Sequence, residues 1–305
     1  MKKYIYIIIV VLMILPAFAD SQGGYAGAYL NMGVNASSVS MGRTGVAIPT
    51  KGAPMYNNPA GLAFIKNKMA EFDYFFLNLD RNLHYTGLST SVPPTAGVGF
   101  AWIHAGVDNI QGRSGTGRRT ATYQTGENAF ILSFANSFFQ GFSLGLSIKM
   151  VRYNMLDLVG DGVGVDLGLL YQVTDDITLG AQIRDIASGY NWDTSDIFGD
   201  TEGQSYKEQF PLKGLVGLAW QHKNFIITGD LEYSDSEIFK YHAGMEYSYQ
   251  KIAALRAGLN NNSPTFGAGL KYNVFKNIDT ELNYCLIFDS VGDGNTHLFS
   301  WKFLF

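Results

Sequence analysis

Four charged residues, Arg184, Arg256, Lys271 and Glu246, lie in segments where polar and apolar residues alternate. In a β-strand this alternation places every second side chain on one face, so the four charges belong to the polar faces of their strands. Guanidinium and ammonium groups there could bind the carboxylate of a ligand or line a polar pathway. They could also neutralise acidic residues on neighbouring strands, as charges inside β-barrels commonly do. The second interpretation is favoured, because both signs of charge are mixed on these faces.

The chain gives only poor signals of enzymatic catalysis. Its 5 histidines are scattered singly, without the spacing of metal ligands. Cys285 is the single cysteine, so no second thiol could resolve a disulfide. A net charge of −4 gives no electrostatic reason to bind nucleic acid. We therefore expect no catalytic residues, no metal, no cofactor and no nucleic-acid partner.

The first residues have the pattern of a secretory signal peptide. Lys2 and Lys3 precede an apolar run over residues 4–16, and Ala17-Phe18-Ala19 matches the small-x-small cleavage pattern. The apolar run is shorter than the ~20 residues that a transmembrane helix needs. The pattern predicts a signal peptide over residues 1–19, cleaved between Ala19 and Asp20.

From residue 70 to residue 305 the chain reads as a succession of β-strands. At the C-terminus Phe299, Trp301 and Phe303 share one face of a strand, while Ser300 and Lys302 share the other. Similar ten-residue segments recur between turn residues, which is typical of a barrel with lipid outside and a polar interior. The sequence predicts an all-β protein, a transmembrane antiparallel β-barrel of about 14 strands in the bacterial outer membrane, surrounded by membrane lipid.

The connections between these strands also follow a pattern. Short turns alternate with connections that we expect to be longer, among them residues 105–126, 154–161, 187–210 and 260–263. Short turns at one end and long loops at the other are typical of outer-membrane barrels. The alternation predicts that the N-terminal segment and the C-terminus both lie on the periplasmic side.

Residues 20–69 differ from the barrel sequence that follows them. They are rich in Gly, Ala, Ser and Asn, contain Pro49, Pro54 and Pro59, and show no sustained alternation. A barrel of about 14 strands has a lumen that its own small inward side chains would not fill. An irregular segment can occupy such a lumen because the barrel shields it from lipid. We expect residues 20–69 to form a plug inside the barrel.

Three short motifs lie in this segment: Gly33 in Asn-Met-Gly-Val, Met41-Gly42, and Asn57-Asn58-Pro59-Ala60-Gly61. Together they resemble the N-terminal signature of the PorV/PorQ family, which is similar in turn to the FadL-type long-chain fatty-acid transporters. The resemblance implies that these residues belong to a plug inside a fourteen-stranded barrel. For the asparagines and Pro59, a role in turns and packing is favoured over direct contact with a ligand.

The resemblance implies two possible tasks, and a third stays open. The barrel could transport a hydrophobic, fatty-acid-like small molecule, which predicts that apolar side chains turn inward beneath the extracellular loops. The residues expected to do so are Leu156, Leu158, Ile186 and Ile197. Alternatively, the barrel could serve a type IX secretion system and receive the C-terminal signals of exported cargo, which predicts secretion-system proteins as partners. A structural or adhesive barrel would have a filled lumen without a ligand pocket.

Overall fold

The computed structural model describes residues 25–49, 51–199, 201–235, 239–275, 278–288 and 294–305. The signal peptide predicted over residues 1–19 lies outside these residues. In the described residues, helical structure is limited to short segments, namely α1 (Ala36–Val39), α2 (Pro54–Asn57), α3 (Ser195–Phe198) and two 3₁₀ helices (Ala28–Asn31 and Pro59–Phe64). Nowhere in the described ranges is a helix long and apolar enough to cross a membrane.

Sixteen strands make up most of the remaining described chain. Their bounds are β1 (Met69–Phe76), β2 (Arg81–Val92), β3 (Ala96–Arg113), β4 (Arg119–Phe139), β5 (Phe142–Met155), β6 (Leu158–Gln172), β7 (Ile177–Ile186), β8 (Gly189–Asp193), β9 (Ser205–Gln209), β10 (Lys213–His222), β11 (Phe225–Ser234), β12 (Lys240–Tyr249), β13 (Ala253–Asn260), β14 (Ser263–Phe275), β15 (Ile278–Ile287) and β16 (Thr296–Leu304).

Fourteen of these strands close into one antiparallel barrel. β1 to β7 pair in sequence order, β7 pairs with β10, and β10 to β16 again pair in order. Pairing of β1 with β16 closes the sheet, with Met69 opposite Leu304. Two hydrogen bonds of 3.0 Å between the backbones of Lys68 and Phe305 continue this seam. The predicted fold class is therefore confirmed. β8 and β9 form an extra hairpin that pairs with β6 and is not one of the fourteen strands of the closed ring.

The two ends of the barrel differ in their connections. One end, which we call the turn end, carries the short connections after β2, β4, β6, β10 and β12, the start of β1 and the C-terminus. The opposite end, which we call the loop end, carries the longest connection, residues 187–212, between β7 and β10. The expectation of longer connections at 154–161 and 260–263 is wrong, because the strands continue and leave only residues 156–157 and 261–262 as turns.

Two other expected loops contain strands. In place of a loop over residues 105–126, β3 runs on to Arg113 and β4 starts at Arg119, which makes a hairpin that rises beyond the neighbouring strands. Within 187–210 lie β8, α3 and β9. Tyr190, Trp192 and Tyr206 supply aromatic residues that favour extended structure, so this hairpin follows the usual composition of strands.

The outer surface of the barrel is apolar. On β5 the outward side chains of Leu144, Leu146 and Ile148 are 41%, 42% and 45% exposed, whereas the alternate residues Ser147 and Lys149 are almost completely buried. The same alternation places Phe72, Tyr74 and Phe76 of β1 on the outside. Apolar side chains facing outward around a closed sheet are what a lipid environment requires.

The lipid-facing surface leads to a prediction for Leu146, which lies in the middle of the outward face of β5. Replacing Leu146 with Arg places a charge in the hydrocarbon and is expected to destabilise the barrel by about 2–4 kcal/mol. The control is Val173→Arg in the turn after β6, where a charge can reach water and should change stability by about 0–1 kcal/mol. Urea unfolding in lipid vesicles measures both, and equal losses would contradict the proposed depth of Leu146.

Candidate functional site

Residues 25–68, which we call the N-terminal segment, contain no strand among those described and press against the inner surface of the barrel. The contact is close because the facing wall positions are glycines. A Cβ added to Gly145 would lie 2.3 Å from the backbone of Pro59 and Ala60, and one added to Gly168 would lie 2.1 Å from Oδ1 of Asn58. Wall glycines that approach the segment in this way are Gly97, Gly99, Gly145, Gly168, Gly180, Gly244, Gly258 and Gly267.

Met41 and Gly42, predicted as plug residues, lie between β12, β13 and β14. Gly42 has a φ of +74°, and an added Cβ would lie 2.5 Å from the carbonyl oxygens of Ala243 and Leu259. Its backbone N–H donates to Oγ1 of Thr265 at 3.1 Å, and its carbonyl oxygen lies 3.0 Å from Nδ1 of His242. Only glycine suits both this conformation and this space.

Asn35 holds the start of α1 against β1 and β16. Its backbone N–H donates to Oδ2 of Asp73 at 2.5 Å, and its side-chain amide donates to the carboxylate of Glu71. The next residue, Ala36, donates its N–H to Oγ of Ser300 at 2.7 Å. All three wall residues are buried, out of reach of water. The N-terminal segment therefore supplies hydrogen-bond donors to wall oxygens that would otherwise lack a partner.

Asp230 on β11 holds the chain after Gly42. Its Oδ2 accepts hydrogen bonds from the backbone N–H groups of Gly45 at 2.8 Å and Val46 at 3.1 Å. Asp230 is only 2% exposed. A buried carboxylate that accepts two backbone N–H groups makes stronger hydrogen bonds than a neutral acceptor would.

The Asn-Asn-Pro-Ala-Gly motif forms the contact with β5, β6 and β7. The side-chain amide of Asn58 donates to the carbonyls of Val46 at 2.7 Å and Leu169 at 3.0 Å, while its Oδ1 accepts the N–H of Ala60 at 3.1 Å. Pro59 begins the 3₁₀ turn, and the carbonyl of Ala60 accepts from Oγ of Ser143. An added Cβ on Gly61 would lie 2.9 Å from the carbonyl oxygen of Pro49.

Arg184 contacts the N-terminal segment directly. Its guanidinium lies 4.6 Å from the centre of the Tyr56 ring and donates to the carbonyl of Asn57 at 3.3 Å. Arg184, Asn57 and Gly33 line a cavity of only about 30 Å³, which has room for one or two waters. Arg184 is therefore tied to the segment, and the space around it is too small for an organic ligand.

The other three predicted lumen residues lie together near the turn end. Nε of Arg256 donates to Oε2 of Glu246 at 2.7 Å, and Lys51 of the N-terminal segment binds the other oxygen of Glu246. Lys271 pairs with Glu281 at 2.5 Å. Burial lowers the pKa of the Lys51 ammonium, and the attraction of Glu246 opposes that change. These residues line a larger cavity of about 260 Å³.

A third charged cluster includes Lys149 and Asp185, which strand alternation in the sequence did not predict as lumen residues. Nζ of Lys149 lies 3.0 Å from Asp166 and 2.6 Å from Asp185, with all three side chains buried. A register shift between β6 and β7 allows Asp185 to face inward next to Arg184. Strict alternation predicts the opposite face for Asp185, so the bulge explains why the residue was missed.

The loop-end half of the lumen is apolar on one side. The inward side chains of Leu83, Ile103, Ile131 and Val151, on β2 to β5, are buried and form part of one continuous core with the N-terminal segment. We call these four residues the apolar wall. Most residues of the charged clusters lie on the remaining strands, but Lys149 is on β5 and is opposite Ile131 in the register of β4 and β5, so charge borders the apolar wall.

The connection 187–212 folds inward above this region. Tyr190 is 1% exposed, packs on Phe210 with ring centres 4.9 Å apart, and donates its hydroxyl to Glu127 at 2.7 Å. Tyr153 and Trp192 complete the aromatic cluster. The expectation that Leu156 and Ile197 turn inward is wrong, because they are 59% and 44% exposed. Leu158 and Ile186 are partly exposed, and the aromatic residues cover the lumen instead.

A closed fourteen-stranded barrel with an apolar outer face and an N-terminal segment in its lumen has the fold of the outer-membrane FadL-type channels. Among solved structures, the chain is similar to the Pseudomonas putida toluene transporter TodX, with a TM-score of 0.60 and 14% identity over 89% of this chain and 96% of that chain. A Pseudomonas aeruginosa FadL homologue has a TM-score of 0.60 and 12% identity over 89% and 98% of the two chains. The CymD monoaromatic hydrocarbon channel has a TM-score of 0.59 and 14% identity over 90% and 97%.

At these identities the similarities establish the fold. No protein-family model matches the chain. The search of curated proteins also found no match.

Proposed function

We propose that the protein is an outer-membrane channel for small hydrophobic molecules, with its turn end in the periplasm and its loop end outside the cell. The observation that carries this proposal is the apolar wall in the loop-end half of the lumen. A channel for hydrophilic solutes has a polar, water-filled interior. Buried apolar side chains on one side of the lumen instead favour a ligand that gains free energy by leaving water.

In this proposal the N-terminal segment is a plug. It packs against the apolar wall and against Arg184, where the described cavity is only about 30 Å³. A ligand would pass the aromatic cluster of Tyr190 and Phe210, reach the apolar wall, and leave when the segment shifts. The hydrogen bonds of Asn35, Asp230 and Asn58 must break for the segment to shift, so they determine the free energy of that shift.

The proposal is tested by uptake in a bacterial host without a channel of this kind. Cells that produce the protein should take up toluene faster than cells with an empty vector, while uptake of arabinose should stay at the vector level. Ile131→Gln, which places an amide on the apolar wall, should slow toluene uptake by roughly tenfold. The matched control is Leu132→Gln on the lipid-facing side of the same strand, where uptake should not change.

Equal uptake of toluene with and without the protein, in cells where the barrel is folded in the outer membrane, would overturn this function. Heat-modifiable mobility on gels identifies the folded barrel. Faster uptake of arabinose than of toluene would instead indicate a channel for hydrophilic solutes.

The N-terminal motifs also support membership of the PorV/PorQ family as a separate proposal. That membership would be supported by a folded barrel that co-purifies with a secretion translocon in its native membrane. Toluene uptake without such a partner would favour transport over a secretion role.

A further inference from the structure

A polar cavity opens at the turn end between the N-terminal segment and strands β10 to β15. Its volume is about 260 Å³, and its lining is rich in positive charge. The cationic residues that line it are Lys51, Lys223, Lys251, Arg256 and Lys271. Two carboxylates, Glu246 and Glu281, are the acidic residues among the lining residues. Five cations against two anions leave three positive charges in excess, in a chain whose net charge is −4.

Both carboxylates are already bound. Glu246 accepts from Lys51 and Arg256, and Glu281 pairs with Lys271. Among the described residues, neither Lys223 nor Lys251 has an ion-pair or side-chain hydrogen-bond partner. The excess positive charge is therefore available to a ligand.

A buried amide points to the same conclusion. Asn283 is 2% exposed and lines the cavity. Its Oδ1 accepts from Nη1 of Arg256 at 2.9 Å, whereas its Nδ2 has no hydrogen-bond partner in the described structure. A buried N–H donor without an acceptor is unfavourable, and an acceptor oxygen in the cavity would satisfy it.

We propose that this cavity is an oxyanion site that binds the carboxylate or phosphate group of a small molecule at the turn end. The Nδ2 donor of Asn283 supplies a directed hydrogen bond, and the lysines supply charge-assisted bonds. The free ammonium groups of Lys223 and Lys251 lie on adjacent turns, where they can approach an anion from the open side. This site is separate from the apolar wall and does not depend on the transport proposal.

The test is calorimetric titration of the purified full chain, folded in non-ionic detergent, with inorganic phosphate, decanoate and decanol. Binding of decanoate but not decanol is expected, since only decanoate carries an oxyanion. Displacement of decanoate by phosphate identifies a site for free oxyanions, and binding of decanoate without phosphate identifies a site for the head group of an amphiphile. Both results support the site.

Two variants test the contributions of Asn283 and of the two turn lysines to oxyanion binding. Asn283→Asp keeps the size and the acceptor for Arg256 but adds a negative charge, and should weaken oxyanion binding by roughly tenfold or more. The double change Lys223→Gln and Lys251→Gln affects turns only and should weaken binding by roughly fivefold. Lys207→Gln, on the exposed β9, is the control and should bind like the unmodified chain.

Equal affinity for decanoate and decanol, with no binding of phosphate, would overturn the proposal. So would unchanged oxyanion affinity in both cavity variants. The titration uses purified protein and no transport step. A negative titration would therefore not contradict the proposed toluene transport, and a negative uptake experiment would not contradict the proposed oxyanion site.

Discussion

Deleting residues 25–64 is expected to convert a nearly closed barrel into an open pore. The segment occupies the lumen against at least eight wall glycines, and a fourteen-stranded barrel without it would be too wide for its inward side chains to fill. Single-channel conductance in planar bilayers should rise by at least roughly tenfold relative to the full chain.

The control for this deletion removes residues 111–122, the exposed tip of the β3–β4 hairpin. That change takes out chain at the loop end without touching the lumen, and conductance should stay at the level of the full chain. Heat-modifiable mobility shows whether each deleted protein is still a folded barrel. A folded barrel without residues 25–64 whose conductance is unchanged would mean that the segment does not block the lumen.

The sequence was informative about the barrel because the physical requirement is local. Lipid outside and protein inside impose a period of two on every strand, which is visible in segments such as 298–303 without knowledge of partners. The extra hairpin of β8 and β9 was missed because its residues 187–210 read as a loop rich in Gly and Asp. Its position, folded inward and paired with β6, depends on contacts that local sequence does not specify.

The contacts of the N-terminal segment could be predicted only in part. The inward glycines are visible as a pattern, since Gly162, Gly164 and Gly168 fall on one face of β6. Which backbone atoms fill the space that they leave is a property of the folded chain. Asp230 illustrates the limit, because the sequence indicates an inward carboxylate and only the structure shows that it accepts from Gly45 and Val46.

For the lumen charges, too, the sequence predicts the inward direction of the side chains but not their contacts. Arg184 and Arg256 both face inward, as the alternation indicates, yet they have different surroundings. Arg184 is stacked on Tyr56 of the N-terminal segment, while Arg256 borders the larger cavity. Strand periodicity is the same for both positions, so it could not distinguish a residue that holds the segment from one that lines an open space.

The second large effect is expected for Gly42→Val. A β-branched residue at a φ of +74° is strained, at about 1–3 kcal/mol for the backbone alone. The added Cβ would also lie 2.5 Å from two wall carbonyls, so the turn at Met41-Gly42 must leave its place between β12 and β13. The bonds of Gly42 with Thr265 and His242 would be lost with it.

Because the barrel closes through its own strand ladders, we expect Gly42→Val to displace the segment rather than to unfold the barrel. Conductance should rise towards that of the deletion, and proteolysis of the folded protein should cut within residues 25–64. The matched control is Gly214→Val on β10, where no atom lies within 4 Å of an added Cβ and neither measurement should change. A protected segment and unchanged conductance in Gly42→Val would show that the contact with β12 and β13 does not hold the segment in place.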